Sequence, residues 1–351
     1  MSWVTNTGVG LDVGEASTGV WVLGADEAPL LERTSTSDAS EIAQCLSPFP
    51  RDGIAAVAME AGAAHSLVRK LAALGLPIVL LDAGKVSRFL SIRHHKTDRN
   101  DARGIAEIAR QDRHAHLRSY IRDVECQRIR DQLIIRNQLV HQRTASRNAL
   151  RSMLRNQGSA TRQLKSGKRL RKRVEAELQI IERVAGQDAA SATRSLLELH
   201  EAQSRFVEQS DKRLARVAAD IPEVQRFLKI PGVGPICAIS FYSTIGDPHR
   251  FSNTASVGPY LGMVPKLKQS GLELRRSGIT KAGDTLARGH LVLSAGVMIS
   301  RAAGDSAVRD WGRTLVGKKG YGKARLAVAR KLAVIMLSIW KSGDDFRPYP
   351  T

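Results

Sequence analysis

A layered α/β unit followed by a mostly helical remainder is the fold that the amino-acid sequence predicts, and three observations predict it. The first ~110 residues alternate short apolar runs with segments of helical period. From residue 118 the chain has no proline until Pro222 and little glycine, while leucines recur at helical spacing. After that, glycine and proline return between further helical stretches.

Each element follows from its local pattern. Val9–Val13 reads as a short apolar strand, and Gly19–Leu23 as a second after the turn-prone Gly14-Glu15-Ala16-Ser17. A third is placed at Thr34–Ser37. Ile54–Met59 is a buried-type strand that ends at Glu60. His65–Leu74 has helical spacing and stops at Gly75, Pro77–Leu81 is another buried strand, and Lys85–Thr97 reads as a basic loop. A helix runs from Asp98 to about Arg110. In the middle, Leu133, Leu139, Leu150 and Leu154, then Leu178, Ile181, Leu196, Leu197, Leu199, Phe206 and Leu214, predict two or three long helices arranged as a coiled-coil hairpin. Gly158-Ser159 and Ser166-Gly167 mark its tip, and the tail Asp344–Thr351 reads as loose. The predicted domains are 1–117, 118–222 and 223–351.

Composition narrows the function. The chain of 351 residues carries 54 Lys and Arg against 34 Asp and Glu, a net charge of +20. That surplus points to a polyanionic partner, most simply nucleic acid. With 42% hydrophobic and 25% charged residues, the chain has the composition of a globular protein rather than a disordered one. Cys45, Cys126 and Cys237 are far apart, which argues against a disulfide framework or a structural zinc site and fits a reducing cytosol. The sequence shows neither a signal-peptide pattern nor an apolar run long enough for a bilayer. Most of the surplus positive charge lies between Arg118 and Arg173, with 16 Lys and Arg against three acids. A second basic run comprises Arg313, Lys318, Lys319, Lys323, Arg325, Arg330 and Lys331.

Three motifs bear on chemistry. Asp12 lies in the first strand, Glu60 ends the IAAVAM strand, and Asp98 and Asp101 open a helix in KTDRNDARGIAEIAR. Residues at i and i+3 share a helix face, so these acids can converge as an oxygen-only site for Mg²⁺ or Mn²⁺. Asp98 also suits a helix N-cap, and Asp101 an acidic first-turn residue. The second motif, Ile230-Pro231-Gly232-Val233-Gly234-Pro235, reads as the turn of a helical hairpin, where backbone N–H groups can hold a phosphate or the glycines can serve packing alone. The third is Ser270-Gly271 among Lys266, Lys268, Arg275, Arg276 and Lys281. A serine amid cations can attack a phosphate, although Ser-Gly is also a common turn pair. The run GLDVGEASTGVWVL also resembles the phosphate loop of actin-like ATPases and sugar kinases, but their later Asp-Gly-Gly or Gly-Thr motifs have no match here.

Together GLDVG, AMEAGAAHSLVRKL, KTDRNDARGIAEIAR, IPGVGPICA and SVGPYLGMVPKLKQSG…GITKAG resemble the DEDD transposases of bacterial insertion sequences. That family includes the pilin-gene inverting recombinase and the bridge-RNA-guided recombinases. The resemblance implies a RuvC-like (RNase H-type) amino-terminal domain, a coiled-coil insertion, and a mostly helical carboxy-terminal transposase domain with a helix-hairpin-helix-like motif. It implies Asp12, Glu60, Asp98 and Asp101 as ligands of Mg²⁺, with Mn²⁺ as a substitute, and Ser270 as the nucleophile of a covalent DNA intermediate. It further implies donor and target DNA, a noncoding guide RNA and a homo-oligomer, dimer or tetramer, with no membrane. The place of action would be the bacterial cytoplasm, at the nucleoid. A RuvC-like endonuclease or junction resolvase that hydrolyses with water is the alternative. Candidate nucleic-acid contacts are Lys96 and Arg99 by the acids, Arg136, Arg143, Arg147, Lys168 and Arg169 on the basic helices, and Gly232 and Gly234 in the turn. The cations around Ser270 and Lys318, Lys319 and Lys323 complete the set. One departure from the family pattern is Gly14-Glu15 after Asp12, where relatives often carry a small residue and lysine.

Binding to nucleic acid is expected to weaken by at least about a thousandfold between about 50 and 200 mM salt, because every neutralised phosphate releases counterions. Fluorescence anisotropy over that range checks this, and a flat response would remove the basic helices as a footprint.

Overall fold

The computed structural model describes residues 7–62, 65–91, 98–111, 116–157, 170–270, 273–301 and 304–349, and the backbone alone at 98, 185, 268–270, 273–277 and 301. The chain forms two compact units that divide after Ile121.

The first unit is built on a mixed five-stranded sheet. Strands β1 (Thr7–Val13), β2 (Ser17–Leu23) and β3 (Pro29–Thr36) form an antiparallel meander. Helix α1 (Ala39–Leu46) follows, its first turn capped by the Asp38 carboxylate, which accepts from the Ser40 N–H at 2.8 Å. Strand β4 (Ile54–Glu60), helix α2 (His65–Ala73), strand β5 (Ile78–Leu81), and helices α3 (Ala83–Leu90) and α4 (Asp98–Ala109) complete the unit. The sheet order is β3-β2-β1-β4-β5, with β1, β4 and β5 parallel.

Strand alternation sorts the residues of β1 and β4 between two layers. Val9, Leu11, Val57 and Met59 pack with Ile42, Leu46, Leu67 and Leu71 of α1 and α2. Ala56 and Ala58 face the other way, onto Ile105, Ile108 and Ala109 of α4. On β1 that second face carries Gly8 and Gly10. A Cβ on Gly10 would stand 2.1 Å from the Ala102 carbonyl oxygen, and one on Gly8 would stand 2.4 Å from that of Ala106. The missing side chains let α4 lie on the sheet at backbone distance. At the far end of α4, buried Arg110 donates to the carbonyls of Gly24 (3.1 Å) and Ala25 and pairs with Glu27 at 2.6 Å, tying the helix to the β2–β3 turn.

The second unit begins with three helices, α5 (Val124–Asn156), α6 (Leu170–Ala185) and α7 (Gln187–Ala219). Asp123 caps α5 by accepting from the Cys126 N–H at 2.7 Å. At one end of α5 and α7, Ile129, Leu133, Leu214 and Ala218 join the main core. At the other end, Leu150, Leu154, Val174, Leu178, Ile181 and Leu197 form a separate cluster. Polar groups lie between the two, where the Ser146 hydroxyl donates to Gln203 Oε1 at 2.6 Å and buried His200 meets the Arg143 carbonyl at 3.2 Å.

Short helices α8 (Pro222–Leu228), α9 (Pro235–Ile245) and α10 (Val257–Tyr260) lead to a two-stranded ribbon, β6 (Pro265–Ser270) and β7 (Glu273–Ile279). Helices α11 (Thr285–Arg301), α12 (Ala307–Lys319) and α13 (Tyr321–Ser342) follow. Their core is aromatic at its centre: Phe227 meets Phe241 edge-on at 5.6 Å and Trp340 at 5.9 Å. Among the described residues no helix is long and apolar enough to cross a membrane.

Several expectations need correction. Helix α3 occupies the first part of the segment read as a basic loop, because Asp82 caps it and Val86 and Leu90 are buried. Strand β3 begins at Pro29 rather than Thr34, a largely exposed edge strand whose apolar residues Leu30 and Leu31 are adjacent and do not alternate. The polar basic stretch around Ser270, given no element by its pattern, forms a strand pair. Leu199 and Phe206, which fit the helical spacing, are 51% and 53% exposed. The tail is not loose over 344–349, since the Ala307 N–H donates to the Pro348 carbonyl at 3.0 Å, the Tyr349 hydroxyl to Asp310 at 2.9 Å, and Lys229 to Asp345 at 2.6 Å.

Gly10→Ala is expected to destabilise the protein by about 2–3 kcal/mol, since the methyl group must displace a helix backbone rather than a side chain. Urea unfolding of the variant measures this, and an unchanged midpoint would show that α4 shifts without cost.

Candidate active site

The strand parity that places Gly8 and Gly10 under α4 also places Asp12 on that face, two residues further along β1. Gly8 faces Ala106 and Arg110, and Gly10 faces Ala102 and Ala106. Two steps along β1 thus correspond to four steps back along α4, so Asp12 comes to the first turn of α4, which holds Asp98 and Asp101. The space beside Gly19 confirms this register, since a Cβ there would meet Ala102 Cβ at 3.6 Å and Asp12 Cβ at 3.8 Å. Parallel pairing of Leu11 with Met59 brings Glu60 alongside Asp12, on the face shared with Ala56 and Ala58. Asp12, Glu60 and Asp101 are all half-buried. Asp98 is the first residue of α4, and its side chain lies outside the described residues, as does Lys96 altogether. Among the described residues no three His, Cys, Asp or Glu side chains are grouped closely enough to hold a metal ion.

A cavity of about 580 Å³ opens beside Asp12, with Trp21, Glu32 and Arg99 in its wall. Arg99 is held there by Glu32, with Nε 2.6 Å from Oε1 and Nη2 donating to Oε2 at 2.7 Å. Its guanidinium also lies over the Trp21 ring, 5.4 Å from the centroid.

Ser270 is the last residue of β6 and pairs with Glu273 across the ribbon, so it stands at the tip of the strand pair. The side chains of Ser270, Lys268, Arg275 and Arg276 lie outside the described residues, while Lys266 is exposed. The base of the ribbon is closely built. Gly262, at φ +67, and Gly283, at φ +79, leave only 2.0 Å from their Cβ positions to the carbonyl oxygens of Ala282 and Tyr260. Lys281, exposed, takes φ +56 at the same crossing. Buried Arg288 closes it by donating to the carbonyls of Leu261 at 3.0 Å and Ala282 at 3.3 Å. Asp284 caps α11 through the Ala287 N–H at 2.8 Å and forms an ion pair with Arg130 of α5, its side chain only 4% exposed. Sequence reasoning missed Asp284, Arg288 and Arg110, and for Arg99, read as a nucleic-acid contact, it missed the pairing with Glu32 and Trp21. Only Asp284 left a signal, as an N-cap residue after Lys-Ala-Gly.

The turn between α8 and α9 contains Gly232 at φ +84, whose Cβ position is 3.0 Å from the Ser294 carbonyl oxygen and the Met298 nitrogen. This glycine is required for contact with α11. Gly234 precedes α9 with no side-chain cap, and nothing described lies within 4 Å of its Cβ position. A cavity of about 570 Å³ adjoins the turn, bordered by Arg136, Cys237, His290 and Ser294. Arg136 pairs with Asp211. Burial, aided by the Arg136 charge, pushes the His290 imidazole down to about 4 against the opposing pull of Asp284 and Asp211. Burial also pushes the Cys126 and Cys237 thiols up to about 12, so neither supplies a thiolate nucleophile.

Arg143 and Arg147 are half-buried on α5, Lys168 and Arg169 lie outside the described residues, and Lys318, Lys319 and Lys323 are exposed around the α12–α13 turn.

Comparison with known proteins gives these sites a class. Residues 9–157 match the DEDD transposase profile of IS110 elements, and residues 224–310 match the transposase profile of the IS116/IS110/IS902 family. The chain is 29% identical to the transposase for insertion sequence element IS1111A of Coxiella burnetii, over 87% of this chain and 83% of that one. It is 27% identical to a probable family 20 transposase of Pseudomonas aeruginosa, over 83% and 86% of the two chains. A putative transposase of Sinorhizobium fredii, y4pF/y4sB, is 25% identical over 83% and 74%. A basic chain with acids at the end of a mixed sheet is thus an insertion-sequence transposase, an enzyme that cleaves and joins DNA. The chain belongs to the IS110 family.

The depressed pKa of His290 makes stability pH-dependent. The unfolded imidazole takes up a proton below about pH 6.5 and the folded one only near pH 4, so stability is full above 6.5 and falls between those values. The expected loss is of the order of 2–3 kcal/mol at pH 4. His290→Gln should flatten that part of the stability profile in urea titrations, and an unchanged slope would show that His290 does not titrate on unfolding.

Proposed function

We propose that this transposase is a serine-dependent, divalent-metal-dependent DNA recombinase guided by a structured noncoding RNA. The observation that carries the reading is the shared register of β1, β4 and α4, which directs acids from three elements to one end of a sheet compatible with a RuvC-like fold. In this reading 1–117 is the catalytic DEDD domain, 118–222 a basic coiled-coil region for nucleic acid and oligomer contacts, and 223–351 the domain of the serine.

Oxygen-only, half-buried donors on neighbouring elements suit a hard cation. Asp12, Glu60, Asp98 and Asp101 would hold Mg²⁺, or Mn²⁺ in its place. When bound, the metal supplies Lewis-acid stabilisation of charge on phosphate oxygens. The chain's own residues do the rest. The hydroxyl of Ser270, a residue at the ribbon tip, attacks a DNA phosphorus and loses its proton. A serine–phosphate bond forms as the bond to one sugar oxygen breaks, and that oxygen departs as a hydroxyl. Attack by another DNA hydroxyl then reverses the exchange, conserving the phosphodiester energy without ATP. Lys266, Lys268, Arg275, Arg276 and Lys281 supply charge to the phosphoryl group. The Gly262–Gly283 crossing and Arg288 hold the ribbon base, so that the tip is presented by a stiff support.

Phosphate contacts position nucleic acid without reading its sequence, and the basic residues Arg136, Arg143, Arg147, Lys168, Arg169, Lys318, Lys319 and Lys323 serve that purpose. Gly234, open at the start of α9, together with Gly232 would receive a backbone phosphate. Sequence choice is left to pairing by the RNA. The enzyme works as a dimer or tetramer at the nucleoid, in the bacterial cytoplasm.

Ser270→Ala is expected to lose strand cleavage by at least about a thousandfold and to lose any detergent-resistant protein–DNA adduct. Denaturing gels of end-labelled DNA measure both. Cleavage by the variant at the wild-type rate would establish a hydrolytic, RuvC-like endonuclease instead.

A further inference from the structure

The chain from Gly343 to Tyr349 folds back across α12 and α13 and walls off a cavity of about 680 Å³. Three ties, Pro348 to Ala307, Tyr349 to Asp310 and Asp345 to Lys229, hold the wall in place, and Phe346 packs against the main core. The cavity is therefore built before any ligand arrives. Its volume lies in the range of small-molecule sites.

The lining has three chemistries. Ile335, Ile339 and the Trp311 indole form an apolar surface, and Trp311 is 43% exposed despite its size. Lys331 and Arg347 bring positive charge. Asp344 and Asp345 bring negative charge, that of Asp345 met by Lys229, and offer hydrogen-bond acceptors, as Ser338 does, with a donor as well. A purely apolar ligand would leave the charged groups desolvated, and an inorganic anion would leave the indole uncovered. A nucleotide matches all three, with a flat face for stacking, a polar base edge and an anionic phosphate.

We propose that this cavity receives an unpaired nucleotide of the DNA substrate, stacked on Trp311 with its phosphate held by Lys331 and Arg347. The surroundings favour a strand over a free nucleotide. Lys323 and Lys331 are both exposed on α13, about 12 Å apart at the helical rise, so cations continue from the α12–α13 turn to the cavity. Strand exchange by a transposase transiently unpairs DNA, which supplies such a nucleotide. No residue of the acid set or of the Ser270 ribbon takes part.

The test uses the full-length protein, with fluorescence anisotropy on a labelled single-stranded DNA, the matching duplex and a single-stranded RNA of the same sequence. Trp311→Leu keeps the site apolar, and Lys331→Glu reverses its charge. Both variants should bind single-stranded DNA about tenfold more weakly, the scale of one stacked base, with duplex affinity changed less than twofold. Unchanged single-strand affinity overturns the proposal, as does equal loss for duplex and single strand. Loss confined to the RNA overturns the assignment to DNA. A thermal melt reports whether the variants fold. Should they not, ultraviolet cross-linking of the wild-type protein to iodouracil-substituted DNA decides. An adduct on Trp311 supports the site, and adducts only elsewhere overturn it.

Discussion

Helix α4 lies against β1 at backbone distance because Gly8 and Gly10 present no side chain to it. Much in the first unit depends on that approach. It brings Ala102 and Ala106 under Trp21 and Leu23, and it sets which turn of α4 stands beside Asp12. A helix held off by ordinary side chains would sit about 10 Å from the sheet, too far for short carboxylates on both elements to share a ligand. Close packing and the proposed ligand set thus come under one constraint, and Arg110 and Arg99 secure the two ends of the helix that obeys it.

The second unit meets a comparable demand with different means. Among the described side chains of its ribbon, Leu267 is 62% exposed. Two glycines at positive φ, a buried arginine that donates to neighbouring carbonyls, and the Arg130–Asp284 pair hold the ribbon's base. A buried ion pair of this kind adds little net stability, but losing one partner is costly, so it specifies an arrangement more than it strengthens one.

Those differences explain what could be read from the chain beforehand. Strands with buried faces, such as IAAVAM, and the helix after Asp98 carry strong hydrophobic patterns, so Asp12, Glu60 and Asp101 could be assigned to elements directly. The first part of strand β3 escaped because it is largely exposed, and the ribbon because its sequence is polar and basic; pairing makes both of them strands. Leu199 and Phe206 misled in the opposite sense, since helical spacing describes a face without saying that anything covers it. The roles of Arg110, Arg288 and the tail rest on contacts between residues distant in sequence, and no local pattern encodes them. Gly232 was visible as a turn residue, whereas its contact with α11 emerged only in three dimensions.

Helices α5 and α7 each run 33 residues, about 50 Å at the helical rise. Each is rooted in the main core at one end and in a smaller apolar cluster at the other, with Ser146, His200 and Gln203 between. The pair has the geometry of a lever with a joint. A tilt of a few degrees at the root carries the far end through about 4 Å over that length. Because the two apolar clusters are not continuous, the outer one is free to open as its own cooperative unit while the rooted one stays closed.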